Sequence, residues 1–330
     1  MHNNYRGRFC GTCGYDLEKE EPKERNFLST VMICIAVFCA IILIVELACL
    51  IVNAYDVMEF VKPYSVPVFL LIPDVYVLFE LTGTALSIYW ILIVFAIIAS
   101  AAYAIYRFTR SLTKTGTEKP EETGMFWVSG MFALSLAITW LIITMVSVLE
   151  LESVGSPFPD VPLANMFDFA NAAVWEEIII RVLLIGVPLA IISLFINQKA
   201  SALKSLLGGS GMSATAIILI IISSVIFGLA HFDGWDQYWK ILDTLIGGLL
   251  MGYVFVRFGL YASILVHFLT NYMSAFGWFG YGVVGDVAFY VIVVMGIVAL
   301  SYLFYRTDSV IEKTNALPKF FDANAQKRKP

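Results

Sequence analysis

The chain enters its first long apolar stretch at Phe27 and leaves it at Val52, and this stretch reads FLSTVMICIAVFCAIILIVELACLIV with Glu46 as its single charge. A helix needs about 20 predominantly apolar residues to cross the hydrocarbon core of a bilayer. The same composition continues beyond it: of the 330 residues, 59% are hydrophobic and 14% are charged, and the mean hydropathy is +0.81. Soluble domains are roughly 45–50% apolar and about 25% charged. These values exclude a cytosolic globular protein and a disordered chain, and they indicate a protein that crosses the membrane several times.

Applied to the whole chain, the length criterion predicts an all-α fold, a polytopic membrane helix bundle of about eight transmembrane helices. The sixth and seventh spans are short, and only Arg257, Phe258 and Gly259 separate them, which predicts a tight helical hairpin. The apolar stretch Pro63–Leu81 is interrupted by prolines and acidic residues, so we expect a surface or re-entrant segment there. The eight predicted spans are Phe27–Val52, Ala85–Phe108, Gly124–Leu149, Asn171–Ile196, Ser213–His231, Ile241–Val256, Leu260–Gly277 and Val283–Tyr305.

The distribution of lysine and arginine predicts the orientation of the bundle. Cytoplasmic loops carry an excess of these residues, and every second connection in this chain does so. Both termini are therefore expected in the cytoplasm, and the plasma membrane is the expected location. The net charge of −5 is dispersed, which leaves no basic patch for nucleic acid. The residues that mark the cytoplasmic side are Arg6, Arg8, Lys19, Lys23, Arg25, Arg110, Lys114, Lys119, Lys199, Lys204, Arg257, Lys327, Arg328 and Lys329.

A short motif near the N-terminus has the spacing of a zinc knuckle. Cys10 and Cys13 form a CxxC within Phe9–Gly14, and His2 is the one further candidate ligand nearby. A structural zinc site needs four ligands. The motif is therefore compatible with a structural zinc, shared between two chains, or with a degenerate knuckle that binds no metal. A catalytic metal is not expected there.

Ionisable side chains inside the apolar spans are the candidates for function, because each costs roughly 2.5–3.5 kcal/mol on insertion scales. Glu177 and Arg181 are four residues apart on the fourth span, with the acid first, which favours an ion pair. Glu176 points about 100° away from Glu177 and is expected to be the carboxylate free for chemistry. His231 closes the fifth span and shares a helix face with Phe227, which we expect to be a packing wall.

The seventh span adds a second histidine and an amide. His267 and Asn271 are four residues apart and face the same side of their helix. A carboxylate, two imidazoles and an amide in one apolar cavity suit hydrolysis by activated water: the carboxylate takes a proton from water with help from a histidine, and the remaining groups stabilise an oxyanion. Each group alone also has a structural explanation, as a helix-packing ion pair or an interhelical hydrogen bond.

Three motifs in order resemble those of the CPBP family, which comprises type II CAAX prenyl proteases and bacteriocin-processing or Abi-like immunity proteins. They are Glu176-Glu177-x-x-x-Arg181, Phe227-x-x-x-His231 and His267-x-x-x-Asn271, and the glycine-rich approach Gly247–Gly252 resembles the family as well. The resemblance covers about Asn171–Tyr272. It divides the chain into a cytoplasmic tail at 1–26, an N-terminal transmembrane region at 27–170, a CPBP-like catalytic core at 171–305 and a polar tail at 306–330.

The resemblance implies an intramembrane glutamate endopeptidase that requires no metal. It assigns water activation to Glu176 and His231, the oxyanion hole to His267 and Asn271, and a supporting role to Glu177 and Arg181. The implied partners are the lipid bilayer and a peptide or lipidated peptide. In the prenyl proteases, the substrate is a farnesylated or geranylgeranylated CAAX segment that loses its last three residues.

Several alternatives stay open at this point. The predicted orientation places Glu176 and His231 near the extracytoplasmic ends of their spans, whereas CAAX cysteines are exposed in the cytoplasm. His231, His267 and a glutamate would also suit a two-histidine, one-carboxylate zinc protease, although the sequence has no HExxH. Intramembrane Glu and His residues mark proton-coupled transporters too, and a non-catalytic scaffold or immunity protein would keep the same fold.

Overall fold

The computed structural model describes residues 27–71, 75–113, 118–152, 161–195, 199–232, 236–273 and 282–314. Over these residues the protein is a helix bundle with one small hairpin. The predicted all-α polytopic fold is confirmed. Its elements are α1 (Phe27–Val61), β1 (Ser65–Leu71), β2 (Val75–Thr82), α2 (Gly83–Leu112), α3 (Gly124–Val148), α4 (Pro162–Glu177), a π-helix (Ile178–Gly186), α5 (Val187–Phe195), α6 (Lys199–Leu207), α7 (Ala214–Ala230), α8 (Tyr238–Phe258), α9 (Leu260–Tyr272) and α10 (Gly282–Thr314).

Six of the described helical segments are long and apolar enough to cross a membrane. They correspond to the first, second, third, fourth, sixth and eighth predicted spans. The fifth predicted span, α7, has 17 residues, and the seventh, α9, has 13, so both fall short of the roughly 20 residues of a full crossing. The expectation that the sixth span is short is wrong, because α8 has 21 residues and begins at Tyr238.

The segment between the first two helices, expected to be a surface or re-entrant segment, is a β-hairpin. Strand β1 pairs with β2 antiparallel, from Ser65 with Thr82 onwards, with an irregularity between Val68 and Phe69. Val68 is buried against the bundle, whereas four consecutive apolar side chains of β2, at 76–79, are more than half exposed. The indole of Trp175 on α4 donates a hydrogen bond of 3.0 Å to the carbonyl of Phe69, so the hairpin is fixed to the helix that carries Glu176.

Helix α4 continues into α5 through a π-helical stretch, and Pro188 explains it. Proline has no backbone N–H, and its ring collides with the carbonyl four residues earlier in an α-helix. A wider π-helical turn before Pro188 relieves that collision, and such turns frequently occur at functional sites. Together α4, the π-helix and α5 span Pro162–Phe195. Glu176 is therefore about 21 Å of helix beyond Pro162, not near the end of its span as expected.

Glycines bring α7 and α8 into close contact. A Cβ on Gly248 would lie 3.0 Å from Ser224, and one on Gly228 would lie 2.8 Å from the carbonyl oxygen of Ile241. Gly259 then links α8 directly to α9 with a φ of 113°, a backbone conformation that strongly favours glycine. The predicted tight hairpin between the sixth and seventh helices is therefore present, and it places α9 beside α8.

Glu46 on α1 is 1% exposed. Neither of its carboxyl oxygens has a hydrogen-bond partner within the described part of the chain. A buried polar group without a hydrogen bond is costly, so Glu46 is a position where we expect an apolar side chain to fit at least as well.

Candidate active site

Five helices enclose a cavity of about 130 Å³. Each helix contributes residues three or four positions apart, so one face of each helix lines the cavity. The cavity lies toward the end of the bundle where α7 and α9 end and α8 begins. All four candidate catalytic residues line it: Glu176, His231, His267 and Asn271.

Glu176 is the group on which the two histidines converge. Its Oε2 atom lies 3.9 Å from Nε2 of His231 and 3.8 Å from Nε2 of His267. The same Oε2 atom is buried and has no hydrogen-bond partner among the described residues. Both separations exceed a direct hydrogen bond, but a bridging water fits such spacings. The carboxylate predicted to be free for chemistry thus faces both imidazoles across a narrow gap.

A hydrogen bond to the backbone fixes the tautomer of His231. Its Nδ1 atom lies 2.8 Å from the carbonyl oxygen of Phe227. A carbonyl oxygen only accepts hydrogen bonds, so Nδ1 carries the hydrogen. In the neutral imidazole, Nε2 then has a free lone pair, and this lone pair faces Glu176. His231 is therefore oriented to accept a proton on the side of the cavity.

Behind this site lies a buried chain of charges. The predicted ion pair is present: Nε of Arg181 lies 3.2 Å from Oε2 of Glu177, and both side chains are 0% exposed. The other oxygen of Glu177 accepts a hydrogen bond of 3.0 Å from Nδ1 of His267. Glu177 therefore joins Arg181 to His267 and fixes which nitrogen of that imidazole faces the cavity.

Phe227 packs against His231, as predicted from their shared face of the helix. It is 2% exposed, its ring centroid lies 4.5 Å from that of His231, and the guanidinium of Arg181 lies over its ring at 5.2 Å. The terminal nitrogens of Arg181 have no hydrogen-bond partner among the described residues. Phe227 therefore separates the guanidinium from the cavity and holds His231 in place.

Asn271 lies at the end of the same face of α9 as His267. Its Nδ2 atom donates a long hydrogen bond of 3.5 Å to the carbonyl of Phe169 on α4, and the residue lines the cavity. The amide of Asn271 is thus attached to α4, the helix that carries Glu176, and it lines the cavity.

A second polar group in the cavity was missed by the sequence analysis. Lys240 and Asp243 form an ion pair of 2.8 Å, and the hydroxyl of Thr139 on α3 donates a hydrogen bond of 2.5 Å to Asp243. All three residues line the cavity. The signal that could have revealed them is Lys240-x-x-Asp243, an i, i+3 charge pair at the start of an apolar helix, but the sixth span was predicted to begin after Lys240.

Within the described ranges, no three His, Cys, Asp or Glu side chains form a group that could hold a metal ion. The knuckle at Cys10 and Cys13, with His2, lies outside the described residues, so its zinc site stays a prediction.

Comparison with known families agrees with the motifs. Residues 159–273 match the family model of type II CAAX prenyl endopeptidases, Rce1-like. This segment contains all three motifs and the helices that enclose the cavity apart from α3. The resemblance to the CPBP family is confirmed for this part of the chain, and the match supports a CAAX-type intramembrane protease at the level of the family. No curated protein and no solved structure gives a significant match.

Proposed function

We propose that this protein is an intramembrane endopeptidase in which Glu176 and His231 activate a water molecule for peptide-bond hydrolysis. The observation that carries the proposal is the convergence of an unpartnered buried carboxylate oxygen with two imidazole Nε2 atoms at 3.8–3.9 Å. A water molecule between Glu176 and His231 can donate one hydrogen bond to each of them. Positioned bases of this kind typically accelerate proton transfer by about 10²–10⁴-fold.

His267 and Asn271 are proposed to stabilise the oxyanion. Because Nδ1 of His267 donates to Glu177, its Nε2 atom carries a hydrogen only in the imidazolium form. In that form the Nε2 hydrogen can be donated to the developing oxyanion. The amide of Asn271 adds a neutral donor from the same helix face. Loss of one oxyanion donor typically costs about 10²–10³-fold in turnover.

The proposed substrate is a lipidated peptide of the CAAX type, cleaved near its C-terminus. The family match supports this substrate class, and the cavity of about 130 Å³ is small beside typical ligand pockets of about 300–1,000 Å³. It therefore accommodates the reacting bond and its immediate neighbours, while the remainder of the substrate and its lipid stay outside.

We propose the orientation predicted from the loops, with both termini in the cytoplasm. The loop bias of lysine and arginine supports it, and Arg257 at the end of α8 is held there by its guanidinium, which lies 4.8 Å from the ring centroid of Trp127 and donates a hydrogen bond to Tyr253. Arginine and aromatic side chains of this kind are typical of the membrane interface. The cavity lies toward the opposite end. In this orientation the substrate reaches the cavity from the extracytoplasmic side, whereas a cytoplasmic CAAX protein would require the inverse orientation.

The experiment is cleavage of a farnesylated CAAX peptide by purified protein, with mass spectrometry of both products. Wild type is compared with Glu176→Gln and with Glu59→Gln, an exposed carboxylate on α1 that serves as the control. We expect cleavage after the lipidated cysteine by wild type and by the control, no cleavage by Glu176→Gln, and the same result in chelator. Activity that a chelator abolishes would favour a metalloprotease. A folded Glu176→Gln variant with full activity would exclude Glu176 as the base.

A further inference from the structure

We propose that Arg257 binds the headgroup of an anionic phospholipid in the membrane leaflet at the end of the bundle opposite the cavity. Thr244 on α8 lines the cavity, and Arg257 lies 13 residues further along the same helix, which is about 20 Å at 1.5 Å per residue. The site is therefore separate from the catalytic groups, and the inference does not depend on the proposed proteolysis.

Aromatic rings from two helices surround the guanidinium of Arg257. Its central carbon lies 4.8 Å from the ring centroid of Trp127 on α3, and 5.4 and 5.8 Å from those of Phe258 and Tyr253 on α8. One of its terminal nitrogens also donates a hydrogen bond of 2.9 Å to the hydroxyl of Tyr253. Stacking involves the faces of a guanidinium, whereas its N–H donors lie in the plane of the group. The rings therefore hold Arg257 in place and leave donors for a further acceptor.

No carboxylate of the described residues forms an ion pair with Arg257. Acidic residues at the same end of the bundle have other partners, so they do not provide the missing counter-ion. Glu118 pairs with Arg107, Glu121 accepts a hydrogen bond from Ser29, and Glu122 accepts one from the backbone of Lys119. The charge of Arg257 is thus available to an anion from outside the protein.

The remaining donors of Arg257 reach the surface. The residue is partly exposed, and none of its nitrogens is among the buried polar atoms that lack a partner in the described part of the chain. A guanidinium carries five N–H donors, and Tyr253 accepts from one of them. Arg257 can therefore bind two oxygens of one phosphate group side by side, the arrangement that suits arginine to phosphate.

The position of Arg257 at the end of a membrane-crossing helix determines which anion is at hand. Helix α8 is one of the six described segments that are long and apolar enough to cross a membrane, and Arg257 lies in its last turn. Rings such as those of Trp127 and Tyr253 are enriched at the level of the lipid headgroups. Basic residues beside a membrane span attract anionic headgroups. The phosphate that Arg257 contacts at this level is that of a lipid.

The test is native mass spectrometry of the detergent-solubilised protein, titrated with phosphatidylglycerol, which is anionic, with phosphatidylcholine, which is zwitterionic, or with inorganic phosphate. The variants are Arg257→Gln, which removes the charge, and Arg257→Lys, which keeps it. Arg110→Gln is the matched control. Arg110 lies in the last turn of α2 at the same end of the bundle and also donates a hydrogen bond to the tyrosine four residues earlier, but it is exposed.

We expect wild type to bind phosphatidylglycerol more tightly than phosphatidylcholine. Arg257→Gln should weaken the binding of phosphatidylglycerol by about 10- to 100-fold, the factor for hydrogen bonding to a charged group. Arg257→Lys should retain the preference for the anionic lipid, and Arg110→Gln should have little effect on it.

Equal affinity of wild type for the two lipids would overturn the inference, whether or not the Arg257 variants fold. Unchanged binding by a folded Arg257→Gln variant would overturn it as well. An equal loss in Arg110→Gln would reduce the effect to general electrostatic attraction and contradict a site at Arg257. Displacement of the lipid by inorganic phosphate would overturn the lipid assignment in favour of a soluble phosphate.

Discussion

Replacing Arg181 with alanine should destabilise the protein far more than an ordinary loss of an ion pair. Arg181 and Glu177 are both 0% exposed, and their Nε–Oε2 distance is 3.2 Å. Removing the guanidinium leaves a fully buried carboxylate that keeps the hydrogen bond from His267 but has lost its arginine partner. Breaking a buried pair by deleting one partner costs about 3–5 kcal/mol. We expect a loss of stability in this range, and a lower yield of folded protein.

The measurement is unfolding of the detergent-solubilised protein, followed by loss of helical circular dichroism. Arg107→Ala is the matched control, because its pair with Glu118 is 37% and 26% exposed and should contribute only about 0–1 kcal/mol. Glu177→Gln/Arg181→Met removes both charges and should recover most of the loss. An Arg181→Ala variant as stable as wild type would contradict the structural role given to this pair. So would a double variant no more stable than the single one.

Three further predictions concern the site and the bundle. Asn271→Ala should lower kcat by about 10²–10³-fold with little change in KM, and an unchanged kcat would remove Asn271 from the oxyanion hole. Glu46→Leu should leave stability equal or raise it by about 1–3 kcal/mol, because it replaces a buried carboxyl group without partners; a clear loss in thermal unfolding would reveal a hidden partner. Gly228→Ala should reduce activity, because its Cβ would lie 2.8 Å from the carbonyl of Ile241 and displace His231, whereas Gly282→Ala, with no neighbour within 4 Å, should be tolerated; equal activity of the two variants would contradict this packing argument.

Much of the fold could be predicted because a helix that crosses the membrane requires a long apolar stretch, which is visible in the sequence. The errors have local causes. Asn165 and Asp168 lower the hydropathy of α4 and concealed its true start at Pro162. The strands β1 and β2 were missed because Pro63, Pro67 and Pro73 interrupt their apolar residues. Hydropathy measures how favourably a residue transfers from water to lipid and contains little information on strand pairing. The hairpin could therefore be recognised only in the structure.

The candidate site was accessible from sequence where residues share one helix. The i, i+4 spacing correctly predicted that Glu177 pairs with Arg181 and that Glu176 does not. Contacts between helices could not be predicted in this way. Glu177 and His267 are 90 positions apart, and only the packing of α9 against α4 brings them together. Lys240 was missed for a related reason, since its significance comes from the cavity that α3 and α7 help to form.

In the proposed mechanism, Glu176 activates a water molecule that attacks the peptide bond directly. The most direct measurement is a single turnover of a farnesylated CAAX peptide in water enriched in oxygen-18, with mass spectrometry of the lipidated product and of the protein. We expect one heavy oxygen in the new carboxyl group of the first-turnover product, and no such product from Glu176→Gln. A first-turnover product that lacks heavy oxygen would contradict it, because the oxygen would then come from the protein through a covalent intermediate.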